Sequence, residues 1–175
     1  NANSIYGLTI TLASASSKDK EVNYIMQKAK DSIGNAQNAV IILPGHKDII
    51  EFLNKSLSLY GNSKWDEDDE NNKNRYGKTD YQKLNEHLKK SGVDIEYIGN
   101  GYGNLYSTGQ TGKIIIMTYH SSKGLDFDNV YLPFMNSEKY SAFTETLFMV
   151  GMTRSKLNLH ISYSGTMHNY VKKIE

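Results

Sequence analysis

Hydrophobic residues along this chain form short apolar runs that alternate with stretches of helical periodicity. The runs at 40–43, 114–117 and 130–132 hold only apolar residues or tyrosine, which is typical of strands buried on both faces of a parallel sheet. Within 22–33 and 49–57 the apolar positions recur every three or four residues instead. Alternation of these two patterns predicts an α/β fold, with a mainly parallel sheet and crossover helices.

Local signals add further elements to this pattern. Residues 5–12 predict a first strand, and Ser16 with Asp19 fits a weak capping box at the start of a helix. Thr79 and Gln82 have the same spacing and predict another helix start. The remaining expected elements are an edge strand at 93–98, a helix around 143–150, a strand at 157–163 and a closing helix at 167–174. Together they predict six strands in one three-layer domain spanning residues 1–175.

Residues 61–76 interrupt the pattern with five consecutive acids, Asp66 to Glu70. A block of like charge with no apolar periodicity indicates a solvated, mobile loop. A divalent-cation site is the alternative, but the block lacks the turn glycine of an EF-hand loop. We therefore expect an acidic mobile loop at 61–76 and no metal site.

Composition excludes several classes of protein. The chain of 175 residues has 20 basic and 19 acidic residues and no cysteine, so neither a basic nucleic-acid-binding surface nor a disulfide framework follows from composition. No apolar run approaches the ~20 residues of a membrane span. A nucleic-acid partner must therefore be argued from a local site, and we expect no membrane partner.

The glycine-rich segment 99–112 has the composition of a phosphate-binding loop, but its spacing does not fit one. Residues 107–113 resemble a Walker A motif superficially, yet Ser107 replaces the first glycine and Ile114 replaces the magnesium-binding hydroxyl. The segment also precedes a strand instead of following one. We expect a flexible connector there, and no P-loop.

Two polar clusters follow apolar segments and hold the candidate chemistry. The first, TYHSSKGLDFDNVYLP, contains Lys123 and Gly124; the second, LFMVGMTRSK, contains Arg154. Gly124 allows a phosphate to approach closely, Lys123 adds a point charge, and an arginine offers a planar fork of donors to phosphate oxygens. The alternative for Arg154 is pairing with a nearby acid at a helix end, and Lys156 is interpreted as a solvated charge.

These two clusters resemble motifs V and VI of UvrD/Rep-type superfamily 1 DNA helicases. In that family both motifs lie in the second RecA-like domain, called 2A. The resemblance therefore implies a RecA-like, P-loop NTPase-like domain without its own P-loop. The space between residues 59 and 113 is too short for the family's 2B insertion, so we expect a compact form. The lysine-glycine form of motif V implies 3′→5′ movement.

The resemblance also implies roles for individual residues. Arg154 matches the arginine finger at the γ-phosphate, and Lys123 and Gly124 match the part of motif V near the terminal phosphates. Asp126 stands where the family more often has a glutamate near the ribose; its shorter side chain leaves pairing with a basic neighbour open. Thr118 and His120 match positions on the DNA side, with a local hydrogen bond as the alternative for His120.

The resemblance implies an ATP-dependent DNA helicase, with single-stranded DNA and a first RecA-like domain of the same protein as partners and a cytoplasmic location. ATP with Mg²⁺ would be bound mainly by that first domain, because this chain has no Gly-x-x-x-x-Gly-Lys-[Ser/Thr] sequence. We therefore expect a C-terminal piece of a larger enzyme, inactive by itself. Two alternatives stay open: a stand-alone nucleic-acid-binding or regulatory module, and a flavodoxin-like ligand domain.

Overall fold

The computed structural model describes residues 2–5, 7–105, 112–137 and 143–175, with side chains from residue 7 onward. The helices are Lys18–Gly34 (α1), His46–Leu59 (α2), Tyr81–Lys90 (α3), Glu145–Met152 (α4) and Asn169–Lys172 (α5), with a 3₁₀ turn at Glu70–Asn72. The strands are Ala2–Ile5 (β1), Leu8–Ala15 (β2), Ala39–Leu43 (β3), Ile95–Tyr97 (β4), Ile114–Thr118 (β5), Phe127–Leu132 (β6) and Ser155–Ser164 (β7).

All the described strands join one sheet in the order β1-β2-β7-β6-β3-β5-β4. Strands β2 to β7 are parallel wherever they pair, and β1 is antiparallel to β2 at one edge. The predicted α/β class with a mainly parallel sheet is therefore confirmed. We call the two ends of this parallel sheet its amino end, where strands begin, and its carboxyl end, where they finish.

The sheet separates two hydrophobic cores, because alternate residues of each buried strand face opposite sides. Ile41 and Ile116 pack in one core with α1, α2 and α3, while Ile42 and Met117 pack in the other with α4 and α5. Every residue of β3 is fully buried, as its continuous apolar sequence predicted. Helices on both faces of a parallel sheet give the expected three layers.

The amino-terminal prediction was wrong in its boundaries. Residues 5–12 do not form one strand, because the chain turns at Gly7, which has φ +84°, and divides the region into β1 and β2. A left-handed φ favours glycine, which lacks the Cβ that crowds the following carbonyl. The extra strand explains why the described residues form a sheet of seven strands and not the six predicted.

Both predicted capping boxes were wrong by one residue. The Oγ of Ser17, and not that of Ser16, accepts from Lys20 N at 3.2 Å and caps α1. Asp80 caps α3, while the Thr79 hydroxyl turns inward to Glu67. Short polar side chains in sequence compete for the same cap, and the approach angle of the chain decides between them.

The acidic segment is anchored at two points, so the prediction of a solvated loop does not hold for Trp65 and Glu67. Trp65 is only 5% exposed, and its Nε1 donates to Glu67 Oε1 at 2.6 Å. Glu67 Oε2 also lies 2.8 Å from His46 Nε2 and accepts from the Thr79 hydroxyl. Burial alone would raise the pKa of Glu67, but its bonds to His46, Thr79 and Trp65 hold that pKa below its usual value. Mobility of the rest of 61–76 stays a prediction.

The remaining predictions concern the edge strand, the closing helix and the glycine-rich segment. β4 lies at the sheet edge as expected, and the closing helix is a single turn, Asn169–Lys172. Residues 106–111, including Ser107, lie outside the described residues, so the expected connector stays a prediction.

Candidate functional site

The first candidate cluster begins at the carboxyl end of β5. Thr118 is the last residue of the strand, and its Oγ1 accepts from Ser121 N at 3.2 Å while donating to Ser121 Oγ at 3.1 Å. Ser122 is fully buried, and its hydroxyl donates to Tyr119 O at 2.7 Å. These bonds wind residues 119–124 into tight turns on the face that carries α4.

The second half of this cluster lies at the opposite end of the sheet. β6 runs parallel to β3 and β5, so its first residue, Phe127, marks the amino end. Phe127 pairs with Ser155, the first residue of β7. The crossover at 119–126 therefore spans the sheet from end to end. An apolar run followed directly by polar residues predicts that residues 118–127 lie at the carboxyl end of β5, and this was wrong for the last of them: Asp126 lies at the amino end, next to the residues of the second cluster.

Arg154 lies at the amino end, between α4 and β7. Its Nε donates to Val150 O at 3.1 Å, its Nη2 to Thr153 Oγ1 at 3.0 Å and its Nη1 to Leu125 O at 3.4 Å. All three acceptors are uncharged. The side chain is partly exposed, and within the described residues no carboxylate pairs with it. An oriented guanidinium whose charge is not neutralised by a carboxylate is suited to bind an external anion.

The bond from Arg154 to Leu125 O brings the two sequence clusters together. Lys123 and Gly124 immediately precede Leu125, and Asp126 follows it. Lys123, Gly124 and Asp126 are all exposed, and neither charged side chain has an ion-pair partner in the part of the chain that the structure describes. Gly124 has φ +77°, and a Cβ built there would meet nothing within 4 Å. The glycine is therefore required by the backbone conformation and not by crowding.

A second contact between the clusters is packing of Gly151 against Tyr119. A Cβ on Gly151 would lie 2.3 Å from Tyr119 Cε1 and 3.2 Å from Leu132 Cδ2. The glycine lets α4 approach the fully buried Tyr119 ring, which also contacts Phe143 at 5.1 Å between centroids. Burial raises the pKa of Tyr119 well above its ordinary value, so this phenol stays neutral. Neither residue was singled out from sequence; a glycine inside an apolar helical run was the available signal.

At the carboxyl end, His120 is exposed and its ring has no hydrogen-bond partner within the described residues. The Thr118 hydroxyl is already directed to Ser121 Oγ, so Ser121 keeps the hydroxyl hydrogen that an external acceptor could receive. Ser121 was missed from sequence, although a Thr-x-x-Ser spacing after a strand is a signal for such a turn. Lys156 is exposed on β7.

No metal centre accompanies these residues in the described ranges, where no group of three or more His, Asp or Glu side chains could hold a metal ion. Among the same residues, no helix is both long and apolar enough to cross a membrane.

Comparison with protein families matches residues 69–166 to the UvrD-like helicase C-terminal domain. This is more than half of the chain and includes both clusters. The chain belongs to this family.

Structural comparison supports the fold of this UvrD-like domain. The C-terminal domain of a possible DNA helicase from Lactobacillus plantarum WCFS1 superimposes with a TM-score of 0.59, covering 94% of this chain and 80% of that one at 14% identity. At this identity the likeness concerns the fold alone. A search of curated protein sequences found no match to this chain.

Proposed function

We propose that this UvrD-like domain is the C-terminal motor domain of an ATP-dependent DNA helicase and supplies the arginine finger, Arg154. The observation that carries the proposal is the state of its guanidinium: three uncharged acceptors orient it, and no carboxylate in the described residues neutralises it. Such a group stabilises the charge that spreads over a transferred phosphoryl group.

The amino end of the sheet forms one half of a nucleotide site. Arg154 would contact the γ-phosphate, Lys123 and Gly124 would lie near the terminal phosphates, and Asp126 would approach the ribose. ATP supplies the energy of phosphoryl transfer when bound with Mg²⁺. The cradle for its phosphates would come from a first RecA-like domain of the same protein, since this chain has no P-loop sequence.

The surface around Arg154 supports an interdomain position. Met149, one helical turn before Thr153, is 54% exposed, and Leu157, near the start of β7, is 40% exposed. Exposed apolar side chains beside a cation suit a surface that another protein domain covers when the site closes. Closure would exclude water from the guanidinium and strengthen its interaction with phosphate.

Single-stranded DNA would cross the carboxyl end of the sheet beside Thr118, whose hydroxyl orients Ser121, and the donors offered to it would be the Ser121 hydroxyl and the His120 ring. Donors of this kind bind backbone phosphates without reading the base sequence. Tyr119, between Thr118 and His120, packs directly against Gly151 of the helix that leads to Arg154. Because packed interiors transmit small displacements, this contact offers a route by which a change at the nucleotide would reach the DNA.

The arginine finger is tested by ATP turnover of the intact protein in the presence of single-stranded DNA. We expect Arg154→Ala to lower turnover by a factor of about 10³ or more and to change nucleotide affinity much less. Lys156→Ala, two residues away on an exposed side chain, is the matched control and should retain wild-type turnover. Unaltered turnover in Arg154→Ala would rule out the finger. No DNA-stimulated ATPase activity in the wild-type protein would favour the stand-alone binding module.

A further inference from the structure

The hairpin at residues 73–79 carries an exposed aromatic side chain together with two cations. Tyr76 is 69% exposed, the highest value among the large hydrophobic side chains of the described residues. The Arg75 guanidinium carbon lies 4.7 Å from the centroid of the Tyr76 ring, and Lys78 is exposed beside them. An exposed aromatic ring with two cations is the combination that binds a nucleic-acid base and its flanking phosphates.

Internal bonds hold this hairpin in one shape. Asn74 Oδ1 accepts from Tyr76 N at 2.9 Å and from Lys78 N at 3.2 Å. Asn74 N donates to Lys78 O at 2.7 Å, and Gly77, at φ +70°, donates to Asn74 O at 2.9 Å. A preformed loop loses little conformational entropy when a ligand binds. Tyr76 is thus presented to solvent by a defined turn.

The hairpin is attached to the carboxyl end of the sheet. Thr79 Oγ1 lies 3.0 Å from His46 Nε2, at the start of α2 directly after β3. A cavity of about 550 Å³ separates the hairpin from the loop that follows β4; its lining includes Lys78, Asn100 and Tyr102. On the other side of that loop, the Cβ position of Gly99 is 3.0 Å from Ser121 Oγ. Ser121 therefore lies beside the loop that borders the cavity, and the hairpin lies at the opposite border of that cavity.

Two cations of the hairpin are unpaired within the described residues, although the acidic block 66–70 precedes the hairpin in the chain. Within the described residues, Arg75 and Lys78 have no carboxylate partner, whereas Lys73 is paired with Glu70 at 2.7 Å. In the neighbouring acidic block, Glu67 is held by His46 and Trp65. The two cations left available lie on either side of Tyr76 in sequence.

We infer that the hairpin 73–79 is a second contact for single-stranded nucleic acid, in which Tyr76 stacks on a base and Arg75 and Lys78 bind the adjacent phosphates. This inference rests on the proposed function, because it extends the strand path from Thr118 and His120 across the cavity. The hairpin adds sequence-independent affinity, since every base offers a face for stacking.

Fluorescence anisotropy tests whether the hairpin binds single-stranded nucleic acid. A fluorescein-labelled oligothymidylate of about 15 nucleotides is titrated with the 175-residue chain at several salt concentrations. We expect Tyr76→Ala to weaken binding about tenfold and Tyr76→Phe to leave it unchanged. Arg75→Gln and Lys78→Gln should each reduce the slope of log affinity against log salt by about 1. Circular dichroism checks that each variant folds.

Tyr60 provides the matched control. It is 41% exposed, with Lys30 Nζ 4.1 Å from its ring centroid, but it lies beyond the end of α2, towards the amino end of the sheet. Tyr60→Ala should bind as the wild type does. An oligouridylate tested in parallel distinguishes RNA from DNA as the source of the strand.

The outcomes separate the two proposals. Wild-type binding by Tyr76→Ala, Arg75→Gln and Lys78→Gln, with weaker binding by His120→Ala, would overturn the hairpin and leave the DNA path of the proposed function intact. Weaker binding by the hairpin variants alone would support the hairpin and remove His120 from the path. No binding by the wild-type chain at low salt, up to about 100 μM, would overturn the hairpin contact and the DNA path at His120 together, while the arginine finger is decided by the turnover assay.

Discussion

Gly151 and Tyr119 show how single residues hold the two halves of the site together. The candidate chemistry lies on polar residues, and these two lie between them without any polar role. The Tyr119 ring occupies the space where a Cβ of residue 151 would lie. The position of Arg154 therefore depends on the absence of one methyl group three residues earlier.

Replacing Gly151 with alanine should destabilise the domain by about 1–3 kcal/mol, the usual cost of overpacking a tight core. The added methyl group must displace either the Tyr119 ring or α4. Urea unfolding followed by circular dichroism measures the change. Gly34→Ala is the matched control: Gly34 is also helical, and a Cβ there meets nothing within 4 Å, so stability should be unchanged or slightly raised. Equal stability of Gly151→Ala and the wild type would show that the Tyr119 ring can be displaced without a cost in free energy.

At the scale of elements, the crossover from β5 to β6 places residues of one sequence motif at both ends of the sheet. Its first residues lie at the carboxyl end and its last, Asp126, at the amino end. The apolar runs on either side predicted both strands. Their pairing in the sheet, with β3 between β5 and β6, separated the residues proposed for DNA from those proposed for the nucleotide.

The start of α1 offers a test at the same scale. Ser17→Ala should cost about 1 kcal/mol (range about 0.5–2), because Lys20 N loses the side-chain oxygen that accepts its hydrogen. Ser16→Ala removes a hydroxyl of the same kind one residue earlier and should leave the free energy of unfolding nearly unchanged. Thermal or urea unfolding of the two variants distinguishes these positions. A larger loss in Ser16→Ala would mean that Ser16 caps the helix, as the sequence pattern first suggested.

For the whole molecule, His160 links stability to pH. Burial lowers the pKa of His160 to about 4, with a smaller contribution from the Lys28 ammonium. In the unfolded chain the ring titrates near 6.5. Above that pH the ring is neutral in both states. As the pH falls towards 4, the unfolded chain binds a proton that the folded chain does not, so stability is progressively lost.

A variant that cannot titrate isolates this effect. His160 stacks on Tyr131 with centroids 4.6 Å apart and planes at 8°, and His160→Phe keeps an aromatic ring there. Between pH 7 and 4.5 the wild type should lose about 2 kcal/mol more free energy of unfolding than His160→Phe. Urea unfolding at each pH provides the comparison. Parallel pH profiles for the two proteins would show that His160 does not contribute.

Sequence alone determined the α/β class, because apolar runs and helical periodicity are local consequences of which side chains must be buried. It also determined the family resemblance, because motifs V and VI are contiguous stretches. Only the tertiary structure decided where those stretches meet: Arg154 reaches Leu125 O, and Tyr119 packs on Gly151. It likewise buried Trp65 inside a segment that looked wholly solvated. These contacts join residues distant in the chain or depend on how a turn directs a side chain, which neither composition nor periodicity specifies.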